Sequence, residues 1–186
     1  QWVFCPKGSE MEEYCKQNNV PHRSFRKRSG TDPFSASDLK SFCSELSIDL
    51  LHAHDSHAHT MAVLSASIFR NRTPFVLSRR VDFPLKDKAK TRFKYNHKNL
   101  RKILCVSDFI KNLIEPHIHN SDIDIVTVHS GVDLEAIKVK KGILRAEHAI
   151  GEDQIVVANT SAIAEHKDYF TFADVAFKLN GLHPGK

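Results

Sequence analysis

Short apolar runs alternate with helical patterns along most of this chain, and this alternation constrains the fold more than any other feature. The clearest example is the run at residues 102–106, which a helical pattern at residues 108–114 follows, with Ser107 as its N-cap. Similar runs occupy residues 2–5, 20–25, 48–53, 74–77 and 123–128. Apolar strands separated by helices are typical of a parallel sheet covered on both faces. We therefore predict an α/β fold with a parallel sheet and helices on both faces.

The residues directly after each apolar run are the first candidates for a functional site. In an open parallel sheet, ligands bind beyond the carboxyl ends of the strands. These positions are residues 6–9, 52–57, 78–82, 107 and 129–133.

The character of the chain changes after residue 133. Residues 134–152 carry many charges and no strand pattern, which indicates a linker with one or two helices. Residues 154–158 then predict a strand and residues 169–179 a helix. One strand and one helix cannot bury a core alone. We therefore divide the chain into a first domain (1–133), a linker (134–152) and the opening of a second domain (153–186).

Composition is that of an ordinary globular protein, with 41% hydrophobic and 26% charged residues. No apolar run approaches the roughly 20 residues that a membrane span needs, and we expect no targeting signal at the start of the sequence. The four cysteines are far apart and form no CxxC pair; they are Cys5, Cys15, Cys43 and Cys105. We interpret them as reduced thiols of a cytoplasmic protein.

The chain is basic, with a net charge of +5, and its basic residues concentrate in residues 26–28 and 85–102. The second stretch contains a candidate anion patch formed by Lys86, Lys88, Lys90, Arg92 and Lys94. It is either a solvated helix face or a surface for phosphates, nucleic acid or an anionic membrane. The aromatic interleaving of RNA-binding sheets is missing, so nucleic acid is not expected as a partner.

The stretch LLHAHDSHAHTMAVL suggests a metal centre at first sight. His52 and His54 would point to the same side of a strand. However, Asp55 comes one position too early for the binuclear pattern HxHxDH, and His57 and His59 are too closely spaced to converge on a helix. We predict no metal here; Asp55 caps the following helix, one or two histidines face a cleft, and the others lie on the surface. A metal-dependent hydrolase stays an alternative.

Four stretches together resemble the amino-terminal half of glycosyltransferases of the GT-B fold, family 4. They are IDLLHAHDSHAH, TPFVLSRRVDFPL, KILCVSDFIKNLI and IDIVTVHSGVDLEAI, in the order of the family pattern. The resemblance implies a Rossmann-like acceptor-binding domain and the start of a nucleotide-sugar donor domain. The family's first strand with its Gly-rich loop, and the late carboxylate motif of the donor domain, have no counterpart in this sequence. We therefore expect an incomplete piece that is inactive alone.

The resemblance implies transfer of a sugar from a nucleotide-sugar donor to a glycan or lipid-linked acceptor, as in lipopolysaccharide or cell-envelope biosynthesis. The nucleotide-sugar is a donor substrate, and no cofactor is expected. The implied location is cytoplasmic, with the basic patch docking at the inner face of the membrane. A non-catalytic module that binds sugars or phosphates is a further alternative, and epimerases share the fold.

Several site residues follow from the resemblance. Many relatives have a histidine where this chain has Arg80, and an arginine cannot act as a base. Arg79 or Arg80 is therefore expected to bind a phosphate or carboxylate of the acceptor. Asp82 is expected to be an orienting partner or a catalytic base. Further acceptor-binding candidates are His52, His54 and Asp55, and Asp55 is also a weaker candidate for the base.

The remaining candidates lie in the linker region and the second domain. Lys167 matches the lysine that contacts donor phosphates in relatives, while Ser161 replaces the arginine that usually accompanies it. Ser130, Gly131 and Asp133 match the interdomain hinge motif. We expect Gly131 to supply an unusual backbone turn and Asp133 to cap a linker helix.

Overall fold

The computed structural model describes residues 1–28, 32–135, 137 and 143–182. The chain forms two compact units, Gln1–Gly131 and Val132–Lys186. Part of the predicted linker, residues 136 and 138–142, lies outside the described residues.

Strands and helices alternate along the first unit, as the apolar pattern predicts. The strands are β1 (Val3–Pro6), β2 (His22–Phe25), β3 (Leu51–Ala53), β4 (Phe75–Arg79), β5 (Leu100–Cys105) and β6 (Asp124–Thr127). The helices of this unit are α1 (Glu10–Gln17), α2 (Pro33–Glu45), α3 (Ser56–Ile68), α4 (Ala89–Tyr95) and α5 (Asp108–Ile114), followed by a 3-10 turn (Glu115–His117).

All strand pairings among the described residues are parallel. β1 pairs with β2, while β3, β4, β5 and β6 form a four-stranded sheet in chain order. The predicted α/β fold with a parallel sheet is therefore confirmed. Because the strands are parallel, their carboxyl ends meet at one edge of each sheet, and the loops that follow them share that edge.

The main core lies on the four-stranded sheet. Phe75, Leu100 and Ile103 are fully buried and pack with apolar residues of α3 and α5. In β4 burial alternates, with Phe75, Leu77 and Arg79 on the buried side. A second cluster centres on Phe42 of α2, which packs against residues of β1, β3 and α3.

Side-chain caps fix where several helices begin. The hydroxyl of Ser107 accepts from the Ile110 amide, as predicted, and the hydroxyl of Ser9 accepts from the Glu12 amide at the start of α1. α2 begins at Pro33, well before its first buried leucine, Leu39. The reason is that Asp32 caps this helix and a proline occupies its first position.

The second unit differs from its prediction at residues 154–158, which form no strand. A strand needs a hydrogen-bonded neighbour, and the part of this unit that the structure describes contains no other strand. The predicted helix is present as α7 (Tyr169–Leu182), after a short helix α6 (Ile143–Glu147) and a 3-10 turn (Glu165–Lys167).

The cysteines and the helix lengths agree with the sequence. All four cysteines are buried and carry free thiols. Among the described residues, no helix combines the length and the apolar character needed to cross a membrane.

Candidate functional site

A pocket of about 130 Å³ lies at the carboxyl ends of β1 and β2, beside the start of α3. Its apolar floor includes Phe4, Phe25 and Met61, and its polar lining consists of Lys27, Asp32, Ser35, Asp55 and His57. Ligand pockets usually measure roughly 300–1,000 Å³. This pocket therefore has room for one part of a ligand, such as a single ring.

The Asp32 carboxylate forms hydrogen bonds at the start of α2. Its carboxylate accepts from the Phe34 amide (3.1 Å) and from the Ser35 hydroxyl (2.7 Å). The hydrogen bond from Ser35 lowers the pKa of Asp32, so the carboxylate is charged at neutral pH. Lys27 is exposed at the same rim, and it brings positive charge to the pocket.

Asp55 caps α3, as predicted, and keeps one oxygen available. Its Oδ1 accepts from the amides of His57 (2.7 Å) and Ala58 (2.8 Å). Among the described residues, no donor contacts Oδ2. The cap holds the carboxylate in place at the pocket, and the second oxygen is free to accept from a ligand hydroxyl.

His52 and His54 point to the same side of β3, as predicted. Their ring centroids lie 3.9 Å apart, and His52 Nε2 lies 2.8 Å from the hydroxyl of Ser78 on β4. Burial lowers the pKa of His52, and the nearby His54 and Arg80 add to this shift. We call His52, His54, Ser78 and Arg80 the carboxyl-edge group, since all four lie where β3 and β4 end.

His59 corrects the prediction that the other histidines lie on the surface. It is fully buried, with its ring against Phe75 and Tyr95 at centroid distances of 5.7 and 4.9 Å. Its Nε2 lies 3.1 Å from the backbone carbonyl of Lys94. Burial lowers the pKa of His59 to about 3, and the Lys94 ammonium adds to this effect. The ring is therefore a neutral core residue.

Arg79 is also buried and bonded within the protein, so Arg80 is the member of the predicted pair whose side chain is exposed. Its guanidinium donates to the Tyr95 hydroxyl (2.9 Å) and to the backbone carbonyl of Phe83. It ties the loop after β4 to α4. Arg80 and Asp82 are exposed on the same loop, where a ligand can reach them.

Lys94 departs from the prediction of an exposed anion patch. Its ammonium donates to the Ser56 carbonyl (2.9 Å), the Ser56 hydroxyl (3.0 Å) and the Thr60 hydroxyl (3.0 Å) on α3. Burial, with the nearby Lys90 and Arg79, lowers its pKa to about 8. We call His59, Arg79, Lys94 and Tyr95 the buried polar cluster.

The rest of the predicted patch is on the surface. Lys86, Lys88 and Lys90 are exposed, and Arg92 pairs with Asp87 at 3.1 Å.

The four histidines of the HAHDSHAH stretch therefore occupy different environments. His52 and His54 lie together at the carboxyl edge, His57 lines the pocket, and His59 is in the core. No group of three or more histidine, cysteine or carboxylate side chains in the described ranges is placed to hold a metal ion.

The predicted hinge residues are exposed, and two of them differ from expectation. Gly131 has no left-handed backbone, and a Cβ there would meet nothing within 4 Å, so no unusual turn requires this glycine. The Asp133 carboxylate accepts from the Glu135 amide (3.0 Å), which caps a turn and not a helix.

Lys167 lies just before α7 and is exposed. The N-terminus of this helix is occupied by Asp168, whose carboxylate accepts from the amide (3.2 Å) and hydroxyl (2.8 Å) of Thr171. Ser161 is tied to the Tyr169 hydroxyl, which donates to the Ser161 carbonyl at 2.8 Å. Phosphate binding in this unit would therefore depend on the Lys167 ammonium.

The sequence argument missed Lys27 and Ser35 as pocket residues. A signal for them exists in the Asp32-Pro33 pair, because a capping aspartate followed by proline is typical of a helix start. That start places Asp32 and Ser35 beside the carboxyl end of β2.

The comparisons with known proteins agree with this architecture. The family model of Glycosyltransferase Family 4 matches residues 2–136. A solved glycosyltransferase from Rickettsia africae ESF-5 is similar in structure, with a TM-score of 0.69 and 16% identity. The similarity covers 96% of this chain and 49% of that one, so this chain spans about half of its length. It confirms the Rossmann-like fold. No curated protein matches the sequence significantly.

Proposed function

The chain belongs to glycosyltransferase family 4, and on this premise we propose that it supplies the acceptor-binding side of a sugar transfer. The donor would be a nucleotide-sugar, and the acceptor a glycan or a lipid-linked glycan of the cell envelope. One observation carries the proposal: the carboxyl-edge group and the pocket beside Asp55 present ligand-accessible polar side chains around the start of α3.

These side chains suit the recognition of sugar hydroxyls. A neutral imidazole offers one donor and one acceptor, and the lowered pKa of His52 favours this form at neutral pH. Asp55 Oδ2 adds a charged acceptor that its own capping bonds hold in position. A sugar hydroxyl both donates and accepts, so the two kinds of group complement it.

Arg80 and Asp82 are the proposed charged contacts at the reacting end of the acceptor. Arg80 can bind a phosphate or carboxylate by two parallel hydrogen bonds. Asp82 is the proposed base that takes the proton of the acceptor hydroxyl, because it is exposed on the loop that Arg79 holds. Asp55 is the weaker candidate, since its carboxylate already caps α3.

The donor side is proposed for the second unit. Lys167 would contact a donor phosphate, and its positive charge would stabilise the departing diphosphate. For the exposed lysines at positions 86, 88 and 90, we propose docking to an anionic membrane that carries the acceptor.

Saturation-transfer NMR of the chain with glycan acceptors tests the acceptor site. The double variant His52→Ala/His54→Ala should weaken binding by roughly tenfold, because two hydrogen-bonding rings are lost. His119→Ala, at an exposed histidine preceding β6, is the matched control and should bind as the wild type does. Unchanged acceptor binding in the double variant would contradict the proposal.

A further inference from the structure

A second, larger groove lies at the amino ends of β4 and β5, opposite the carboxyl-edge group. Its volume is about 660 Å³, within the range of ligand pockets, and it opens between the ends of α3 and α4. The lining of the groove includes Ser67, Arg70, Arg72, Phe93 and Lys98. Because parallel strands have distinct ends, this groove is separate from the proposed acceptor site.

The groove carries three cations and no acidic side chain in its lining. Arg70, Arg72 and Lys98 are exposed, and none of them forms an ion pair with any residue that the structure describes. In contrast, Arg92 pairs with Asp87 and Lys102 with Asp124 on nearby elements. The groove is therefore a concentration of unpaired positive charge, which an anionic ligand would complement.

The hydrogen bonds of His97 leave the proton of the Ser67 hydroxyl free for another acceptor. The Asn99 amide donates to His97 Nδ1 (3.1 Å), so the proton of the neutral ring lies on Nε2. Nε2 then donates to the Ser67 hydroxyl oxygen (3.2 Å). Burial and the nearby Lys98 lower the pKa of His97, which agrees with a neutral ring. Ser67 accepts from His97, and its own proton is available to an acceptor in the groove.

Hydrogen bonds within the protein hold the floor of the groove in place without a ligand. Asn71 donates to the Ser65 hydroxyl (3.1 Å) and accepts from the Thr73 amide (3.2 Å), and the Asn99 side chain donates to the Asn71 carbonyl (3.0 Å). Arg70 has a left-handed backbone (φ 55°) directly after α3, a position where glycine is usual. The arginine therefore lies at a position where its backbone conformation is unfavourable.

We propose that this groove binds the phosphoryl group of a ligand. Arg70, Arg72 and Lys98 supply the charge, and the Ser67 hydroxyl donates one further hydrogen bond to a phosphoryl oxygen. Phe93 is 57% exposed on the wall, with its ring edge-on to His97, and it offers a face for an apolar or aromatic part of the ligand. The phosphoryl group belongs either to a soluble phosphate compound or to a lipid headgroup.

Calorimetric titration of the chain with pyrophosphate, and sedimentation with phosphatidylcholine vesicles with and without phosphatidate, distinguish the two sources. Arg72→Gln should weaken binding by roughly tenfold, and Arg70→Gln/Arg72→Gln/Lys98→Gln should abolish it. Ser67→Ala should weaken binding by roughly fivefold, because one hydrogen bond is lost.

The matched control is Lys7→Gln/Arg26→Gln/Lys111→Gln, which removes the same charge from side chains outside the lining of the groove. It should keep pyrophosphate affinity within about twofold, because exposed charges at a distance are screened. Pyrophosphate binding that the groove variant alone loses supports a soluble ligand. Binding to phosphatidate vesicles alone, lost in the groove variant, supports a headgroup. Binding to neither probe, or equal losses in the groove and control variants, would overturn the proposal.

Discussion

Arg79 and Arg80 are neighbours in the sequence and have opposite environments. Arg79 is part of the buried polar cluster and donates to Tyr95 and Phe83, whereas Arg80 is exposed in the carboxyl-edge group. The histidines divide in the same way, with His59 in the core and His52 at the strand end. The side of the strand or helix on which a residue lies decides its role, while the residue type alone does not.

The largest expected effect comes from Arg79→Ala. The variant removes the guanidinium that donates to the Tyr95 hydroxyl and the Phe83 carbonyl, and it creates a cavity, so we expect a loss of roughly 3 kcal/mol in the free energy of unfolding. Arg80→Ala is the adjacent control and should stay within about 0.5 kcal/mol. Urea unfolding measures the free energy of unfolding of both variants. Similar losses in the two variants would contradict the assignment of Arg79 to the core and of Arg80 to the surface.

Next in size is the acid sensitivity that His59 confers. Its pKa is 6.5 unfolded and about 3 folded, so the unfolded state binds the extra proton between these values. Stability from the neutral ring is fully present above about pH 6.5 and decreases as the pH falls toward 3, by at most roughly 1.4 kcal/mol per pH unit. His59→Gln should flatten the pH dependence of urea unfolding. The exposed control His57→Gln should retain it, and a flattened profile in that control would contradict the assignment.

A smaller effect is expected for the cap of α3. Asp55→Ala removes the acceptor of two backbone amides and should cost about 1 kcal/mol of stability. Asp55→Asn keeps an oxygen for these amides and should retain most of it. If Asp55→Asn, placed in a transferase that carries both complete domains, instead abolishes sugar transfer while thermal unfolding stays unchanged, Asp55 and not Asp82 is the base.

The smallest effect on stability is expected in the carboxyl-edge group. His52→Ala/His54→Ala should change the free energy of unfolding by less than about 0.5 kcal/mol, since both side chains are exposed. Thermal unfolding followed by circular dichroism measures the change. A loss as large as that of Arg79→Ala would show that these histidines support the fold and are not reserved for a ligand.

The alternation of apolar runs was sufficient to predict the parallel fold and the edge where the carboxyl-edge group lies. The same pattern did not predict that Arg79 is buried. The predicted strand ended at residue 77, whereas β4 continues for two more residues. With that extension, Phe75, Leu77 and Arg79 share the buried side. The alternation therefore carried the signal, but tertiary pairing with β5 decided where the strand ends.

The burial of His59 could also have been predicted from the sequence. It shares the helical spacing of Ala62 and Val63, three and four positions later, and these residues form the buried side of α3. The hydrogen-bond partners of Lys94 could not be predicted from the sequence, because Ser56 and Thr60 are more than 30 residues away in the chain. Contacts at such separations depend on how α3 and α4 pack, which no local pattern specifies.

The most direct test of the acceptor assignment is to follow the histidine side chains while a glycan acceptor is added. Long-range ¹H–¹⁵N NMR resolves the imidazole nitrogens of His52, His54, His59 and His97 in one sample. The account predicts that the signals of His52 and His54 shift in proportion to bound acceptor, while those of His59 and His97 stay in place. Acceptor binding that shifts His59 or His97 and leaves His52 and His54 unchanged would contradict it.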